Sequence, residues 1–328
     1  MTSLTNRYEA LFYYECNDNN PNGNSLDENR PRTDPETGEA TVTDVRIKRT
    51  IRDYFLARQP DVEQRLAEGK EILIRDTLKP DGYLSEGKDR AEQFLKYAGE
   101  GKKGTEKRQA LRAAILEHCI DARLFGAALP LGKNEVSLQL TGPVQFSAFN
   151  RSLHEVAPVM VQQTAAYAGD AKSNQKSFAE RWLLPYALIA AYAVVNEVAA
   201  QTTQMTREDL DSMVQALWYG TANLNTHSKI GHNPLLLVLA EYQPGHRLGA
   251  LPRRVQMADK RVADTALRST EDYVLDVTDL LAAFSGCKHL TGIHVAQDLR
   301  LRCKAGDSLA PFLVLAEQAG LPAQALAL

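Results

Sequence analysis

The chain has 328 residues, 44% of them hydrophobic, with a formal net charge of -3 and a pI near 6.2. That apolar content suffices for one large core or two modest ones and excludes wholesale disorder, while the charge balance gives no global basic signal for nucleic acid. The four cysteines, Cys16, Cys119, Cys287 and Cys303, stand far apart with no C-x-x-C pair, which excludes a zinc ribbon or a dense disulfide framework.

A reducing, cytoplasmic setting fits that spacing. The opening "MTSLTNRYEA" lacks the basic start and apolar run of a secretory signal, and no apolar stretch reaches about 18 residues unbroken, so a soluble protein with no membrane partner is expected. Residues 8 to 16 alternate as a strand, with Tyr8, Ala10, Phe12 and Tyr14 on one face and Glu9, Leu11, Tyr13 and Glu15 on the other. The next 22 residues, "NDNNPNGNSLDENRPRTDPETG" (17 to 38), are turn formers and charges that read either as idle surface or as a ligand loop.

"TDVRIKRTIRDYFLAR" then predicts a helix capped by Asp44, with Ile47, Ile51, Tyr54 and Phe55 on its apolar side. Lys48, Arg49 and Arg52, with Arg46 at the edge, form a basic arc opposite. Apart from Asp53 beside Arg49, that arc lacks the i,i+4 acids of an ordinary solvated helix face. Residues 60 to 118 read as an inserted helical lobe. A strand-like core resumes with "DARLFGA" (121 to 127) and with "VSLQLTGPVQFSAF" (136 to 149), the latter a strand bent at Gly142 and Pro143.

Residues 150 to 181 suggest a long hairpin or flap, followed by an apolar run, "LLPYALIAAYAVVNEVAA". "TREDLDSMVQALWYG" predicts an amphipathic helix with a capping box of Thr206 and Asp209 and a stop at Gly220. Residues 234 to 242, 272 to 277 and 293 to 303 read as strands. Strands and helices mix without a regular beat, so the fold class is α+β, a core with insertions.

Chemistry of the usual kinds is missing. "GEGKKGTEK" lacks the lysine of a P-loop, His227 and His232 share no helix face and neither do His289 and His294, and neither H-E-x-x-H nor G-x-S-x-G occurs. Neither a catalytic group nor a metal or other cofactor is therefore expected. What remains is a set of basic and polar segments: Arg30 and Arg32 closing the early loop, the arc from Arg46 to Arg52, the lysines and arginines between Lys102 and Arg112, and "NLNTHSKIGH" (223 to 232). Amides, hydroxyls, a lysine and glycines in "NPNG" and "NTHSKIGH" suit hydrogen bonding to phosphates. The aromatic face of Tyr8, Phe12 and Tyr14 is either core or a stacking platform, with core favoured because no RNA-binding signature accompanies it.

In order along the chain, "NPNG…NRPRTDPETG…VTDVRIKRTIRDY", "DARLFGA", "GPVQFS" with "NRSL", "LDSMVQALWYGT" and "SKIGHNPLLL" resemble the backbone subunit of type I CRISPR interference (Cascade) complexes. The type I-B form is the most similar and the type I-C form next. The resemblance implies one elaborated domain over 1-328, a modified RRM-like (ferredoxin-like) palm with a helical finger insertion at 60-118 and a protruding thumb hairpin at 150-181. It implies a non-catalytic subunit in a ribonucleoprotein of antiviral defence. Copies stack as a helical filament along CRISPR RNA beside other Cascade subunits, and the guide is presented for pairing with target DNA. The crRNA role falls on Asn20, Asn22, Arg30, Arg32, Arg46, Lys48, Arg49, Arg52, Ser228 and Lys229, and more weakly on Gln145, Ser147 and Arg151. Lys172 and Lys176 would touch target strand or a neighbour. Related type III backbones cut target RNA with a thumb-side aspartate and metal. Asp170 lies in the flap with no base or metal partner in its sequence neighbourhood, so no cleavage is expected.

Overall fold

The architecture is built outward from the first strand, β1 (Arg7–Asn19), in a computed structural model that describes residues 2–99, 104–129, 138–168 and 176–328. The other strands that matter are β2 (Phe149–Glu155), β3 (Val159–Ala168), β4 (Lys176–Val195), β5 (His232–Tyr242) and β6 (Leu290–Gln297). Among the described residues β1 is the middle of a nine-stranded mixed sheet, antiparallel to β4 on one side and to β5 on the other. β2 extends the sheet beyond β4 and β6 extends it beyond β5. A short terminal strand, Ala323–Ala325, runs parallel to β6 at that edge.

Both faces of β1 are buried. Tyr8, Ala10, Phe12, Tyr14 and Cys16 pack under two helices, α1 (Asp44–Arg58) and α2 (Arg207–Ala222), whereas Leu11 and Tyr13 pack under a second layer. That layer is a four-stranded sheet (Gln256–Ala258, Val274–Asp276, Cys303–Ala305, Ser308–Ala310) with the helices Thr278–Ser285 and Phe312–Gln318. Two acids of β1 go inside with it, and each is matched to donors, as a buried carboxylate must be. Glu9 accepts from the amides of Leu248 and Gly249, both at 3.0 Å, and from the Tyr192 hydroxyl. Glu15 accepts from Asn233 at 3.0 Å and Arg300 at 2.8 Å.

The start of α1 differs from expectation. Thr43, not Asp44, is the cap: it ends the strand Glu39–Thr43 with extended backbone, so its hydroxyl meets the Arg46 amide at 3.3 Å. Asp44 is the first helical residue. Ile47, Ile51 and Phe55 form the buried stripe, as their spacing predicts. In α2 the Thr206–Asp209 capping box is present, but Gly220 does not stop the helix, which runs on to Ala222. A Cβ at Gly220 would stand 3.1 Å from the Thr50 carbonyl and from Tyr54 Cβ, so this glycine serves the close approach of α1 and α2.

Among the described residues three helices occupy the inserted region, Val62–Ala67, Gly87–Ala98 and Gly104–His118, around a core of Leu73, Phe94, Leu111 and Ile115. That core also takes in Leu129, Leu138 and Leu140. "DARLFGA" is helical over Ile120–Phe125 before the short strand Gly126–Leu129, and the run from 136 to 149 is not one bent strand. Leu138–Thr141 pairs with Gly126–Leu129 in a small sheet, while Val144–Phe146 joins β4, so Gly142 and Pro143 divide two sheets. The strand expected over 293 to 303 likewise ends at Gln297, where Asp298 accepts from the Arg300 amide at 2.8 Å and turns the chain.

β4, 20 residues long, serves two sheets. Its first part pairs with β3 as a hairpin, from Lys176 opposite Ala168 to Leu183 opposite Val159. From Leu184, opposite Asn19, it pairs with β1.

Candidate nucleic-acid interface

The end of β1 is where the sequence-predicted residues converge. As the strand leaves the sheet, the segment 228 to 232 lies against it. The Asn17 amide donates to Gly231 O at 3.0 Å and the Asn20 amide to Ser228 O at 3.3 Å. A Cβ at Gly231 would stand 2.1 Å from the Asn17 carbonyl, so only glycine permits this approach. The contact sets Lys229 inward, where its ammonium donates to the Asn20 carbonyl.

Arg46, in the first turn of α1, lines one cavity with His232, and its charge acts on Lys229. Among the described residues neither Arg46 nor Lys229 has a carboxylate partner. Burial, then the charge of Arg46, pushes the Lys229 ammonium down to about 8. Burial also lowers the Arg46 guanidinium, and burial together with Lys229 and Arg46 pushes the His232 imidazole down to about 3. His232 is therefore neutral at pH 7, and its Nε2 is buried without a partner. Two half-buried cations share a corner in which, among the described residues, the Asp53 charge reaches Arg46 only from beyond ion-pair distance, an arrangement that opposes itself until a negative group arrives.

The rest of the basic arc is compensated, as the sequence already indicated for Arg49 and contrary to expectation for Lys48 and Arg52. Lys48 pairs with Asp44 at 2.9 Å, Arg49 with Asp53 at 2.7 Å and Arg52 with Asp121 at 2.8 Å. Asp44 lies one turn before Lys48, and Asp121 comes from 69 residues away. Asp121 is 1% exposed and also accepts from the amides of Leu73 and Ile74, so Arg52 ties α1 to the helical lobe. Lys48 and Arg52 both lie over the Phe125 ring.

The early loop is ordered by its own amides. Asn20 donates to Asn29 O at 2.6 Å, and Asn22 Oδ1 accepts from the amide and hydroxyl of Thr43 at 2.8 and 3.0 Å, which pins the loop to the start of α1. Arg30 lies over the Trp182 ring at 4.1 Å and has exposed ion pairs with Glu28 and Asp27. Arg32 has no ion pair among the described residues, and its Nε is buried without a partner.

Of the three weaker candidates, Arg151 and Gln145 have their side chains engaged, and Ser147 is held by its backbone amide. Arg151 meets Asp34 at 2.6 Å and Glu39 at 3.4 Å, which holds the Asp34 carboxyl below its ordinary range. Gln145 donates to Gly142 O at 2.8 Å, and the Ser147 amide to Tyr192 O at 2.9 Å. Lys172 and Asp170 lie outside the described residues, as do Lys102 and Lys103, and Lys176 opens β4.

Tyr8, Phe12 and Tyr14 are core, at most 6% exposed. With the other face of β1 covered too, no base can stack on this part of the sheet. Sequence reasoning missed Trp182 and weighed His232 only as a metal ligand. Trp182 had one signal, an Arg-Trp pair at the point where the polar flap gives way to the apolar run. Among the described residues no group of three or more His, Cys, Asp or Glu is placed to hold a metal.

Comparison with known proteins follows the same stretch of chain. The family model described as CRISPR-associated protein Cas7 matches residues 6–278. A CRISPR-associated protein Cas7 from Haloferax volcanii is 30% identical over 331 residues, covering 94% of this chain and 91% of that protein. Among solved structures, a chain of a CRISPR RNA-guided surveillance complex, pre-nicking, is similar with a TM-score of 0.50 at 14% identity, over 96% of this chain and 99% of the other.

Proposed function

The chain belongs to the Cas7 family of CRISPR-associated proteins, and from that premise we propose that it is a non-catalytic backbone subunit of a type I Cascade complex, most similar to the type I-B form. It holds guide RNA by its phosphates and leaves the bases for target DNA. The observation behind this reading is the corner formed by Arg46 and Lys229, two half-buried cations with no ion-paired carboxylate among the described residues, beside Asn20 and Ser228. A phosphate there removes the cost of burying like charges together and gains charge-assisted hydrogen bonds.

A near-neutral protein suffices for the task, because each copy neutralises a few phosphates and a filament of copies adds them up. Base reading by the sheet is not needed and the covered faces leave no room for it, which suits a guide whose sequence is read by pairing. The strand order β5-β1-β4-β2, with α1 and α2 on one face, supports a ferredoxin-like palm. On this reading the helical lobe is the fingers and the β3–β4 hairpin the thumb, with neighbouring copies and other Cascade subunits as partners. Among the described residues no helix is long and apolar enough to cross a membrane.

The test is direct. The purified chain is expected to carry RNA, seen as an elevated 260 to 280 nm absorbance ratio and sized after extraction. The Arg46→Ala/Lys229→Ala pair is expected to lose that RNA and to flatten the salt dependence of binding by roughly 0.7 in log–log slope, one phosphate's worth for a single strand. Full-length RNA retained by the double variant at wild-type salt dependence would sink the assignment. Regular cuts in target RNA with divalent metal would replace it with a type III-like nuclease.

A further inference from the structure

Arg30 and Trp182 meet where two elements with different duties join. Arg30 belongs to the early loop, at the short pairing of Gly23–Asn24 with Arg30–Pro31. Trp182 sits on β4 opposite Met160, one residue before the last hairpin rung and two before β4 enters the central sheet at Leu184. The guanidinium carbon lies 4.1 Å from the indole centroid. An arginine stacked on a ring uses its flat face, which leaves the N–H edge of the fork free for an oxyanion.

Three observations say that the edge is waiting for one. The acids that reach Arg30, Glu28 at 3.1 Å and Asp27 at 3.9 Å, are 65% and 56% exposed, so solvent screens them and they compete weakly. Arg30 Nε is buried with no hydrogen-bond partner among the described residues. A guanidinium donor left unsatisfied at the stack is costly unless an acceptor visits. Arg32, two residues on and without an ion pair among the described residues, has a buried Nε in the same condition.

We propose that Trp182 is a positioning residue for RNA binding: its indole face fixes the Arg30 guanidinium so that its N–H edge, held only by the solvated Glu28 and Asp27, receives a backbone phosphate. The inference rests on the RNA-binding reading above and adds a residue of the hairpin root to it. Because Trp182 is part of β4, phosphate contact at Arg30 also ties the hairpin root to the bound strand.

The experiment is a double-mutant cycle on the full chain, read by fluorescence anisotropy with a single-stranded RNA oligonucleotide. Arg30→Gln is expected to weaken binding about tenfold. Trp182→Leu is expected to weaken it about two- to fivefold by releasing the guanidinium from its plane, and Trp182→Phe, which keeps a ring face, to restore most of that loss. The double Arg30→Gln/Trp182→Leu variant is expected to bind no worse than Arg30→Gln, since Trp182 acts only through Arg30. In the wild type, RNA is expected to slow hydrogen exchange of the Val159–Val161 amides, and in Arg30→Gln it is not. Additive effects in the cycle, or Trp182→Phe as weak as Trp182→Leu, would overturn the positioning role while leaving RNA binding intact. A wild-type chain that binds no RNA would overturn both readings.

Discussion

Two sets of cations on one helix have opposite surroundings. Lys48, Arg49 and Arg52 each meet a carboxylate within 2.9 Å, whereas Arg46, on the same helix, meets none and shares its corner with Lys229. Counted along the chain all four look alike. In space the acids of the first set come from one turn away or from another lobe, and the second set is left for a ligand. The difference teaches that a binding cation is marked less by its neighbours in sequence than by the absence of a partner after folding.

The sharpest way to break that comparison is to remove one cation from each set and read stability and RNA binding together. Arg52→Ala strands Asp121, a 1% exposed carboxylate, without its ion pair. It is expected to cost about 3 kcal/mol in urea denaturation, the lower end for breaking a buried pair. Its effect on RNA affinity at temperatures where the variant is folded should be small. Arg46→Ala is expected to do the reverse, with about tenfold weaker RNA binding and a stability equal to or above that of the wild type, because a half-buried charge beside a like charge is gone. If Arg46→Ala destabilises as much as Arg52→Ala, the corner is not a vacancy for an anion.

These outcomes bear on what was readable from the sequence. The amphipathic stripes of α1 and α2 and the Thr206–Asp209 box were legible, since each depends on residues within four positions. The strand 234 to 242 was legible for the same reason. The second layer over Leu11 and Tyr13 was not, because Glu9 and Glu15 read as solvent-facing until distant donors such as Leu248, Gly249 and Arg300 are brought to them. The site divides along the same line. Lys229 and Arg46 were both named, but that their charges act on each other, and that Asp121 withdraws Arg52, are long-range facts. Trp182 was missed because its partner lies in a loop some 150 residues earlier in the chain.

A second comparison separates Lys229 from Arg46 by pH. The free Lys229 ammonium is lowered to about 8 against an ordinary value of about 10.4, so between those values the unfolded chain binds more protons and this group's contribution to stability rises with pH. RNA binding has the opposite sign. A phosphate holds Lys229 protonated, so the complex takes up a proton above pH 8, and affinity is expected to fall by up to about tenfold between pH 7 and pH 9. Lys229→Arg removes the titrating group and should flatten that fall while keeping the charge. A variant that keeps the wild-type profile would assign the pH dependence elsewhere.

The smallest effect is the most discriminating control. Arg49 is 55% exposed and pairs with Asp53 on the same helix face, an arrangement worth about 0.3–0.5 kcal/mol. Arg49→Ala should therefore move the urea midpoint barely at all. An exposed arginine whose carboxylate is itself solvated is also easily lent to a passing phosphate, so a modest loss of RNA affinity, about threefold or less and erased at high salt, is expected. Arg46→Ala should keep its larger loss at the same salt, since a half-buried contact is screened less. Equal losses for the two variants at every salt concentration would mean that exposure rather than pairing decides which cation binds, and the distinction between the paired and unpaired faces of α1 would fall.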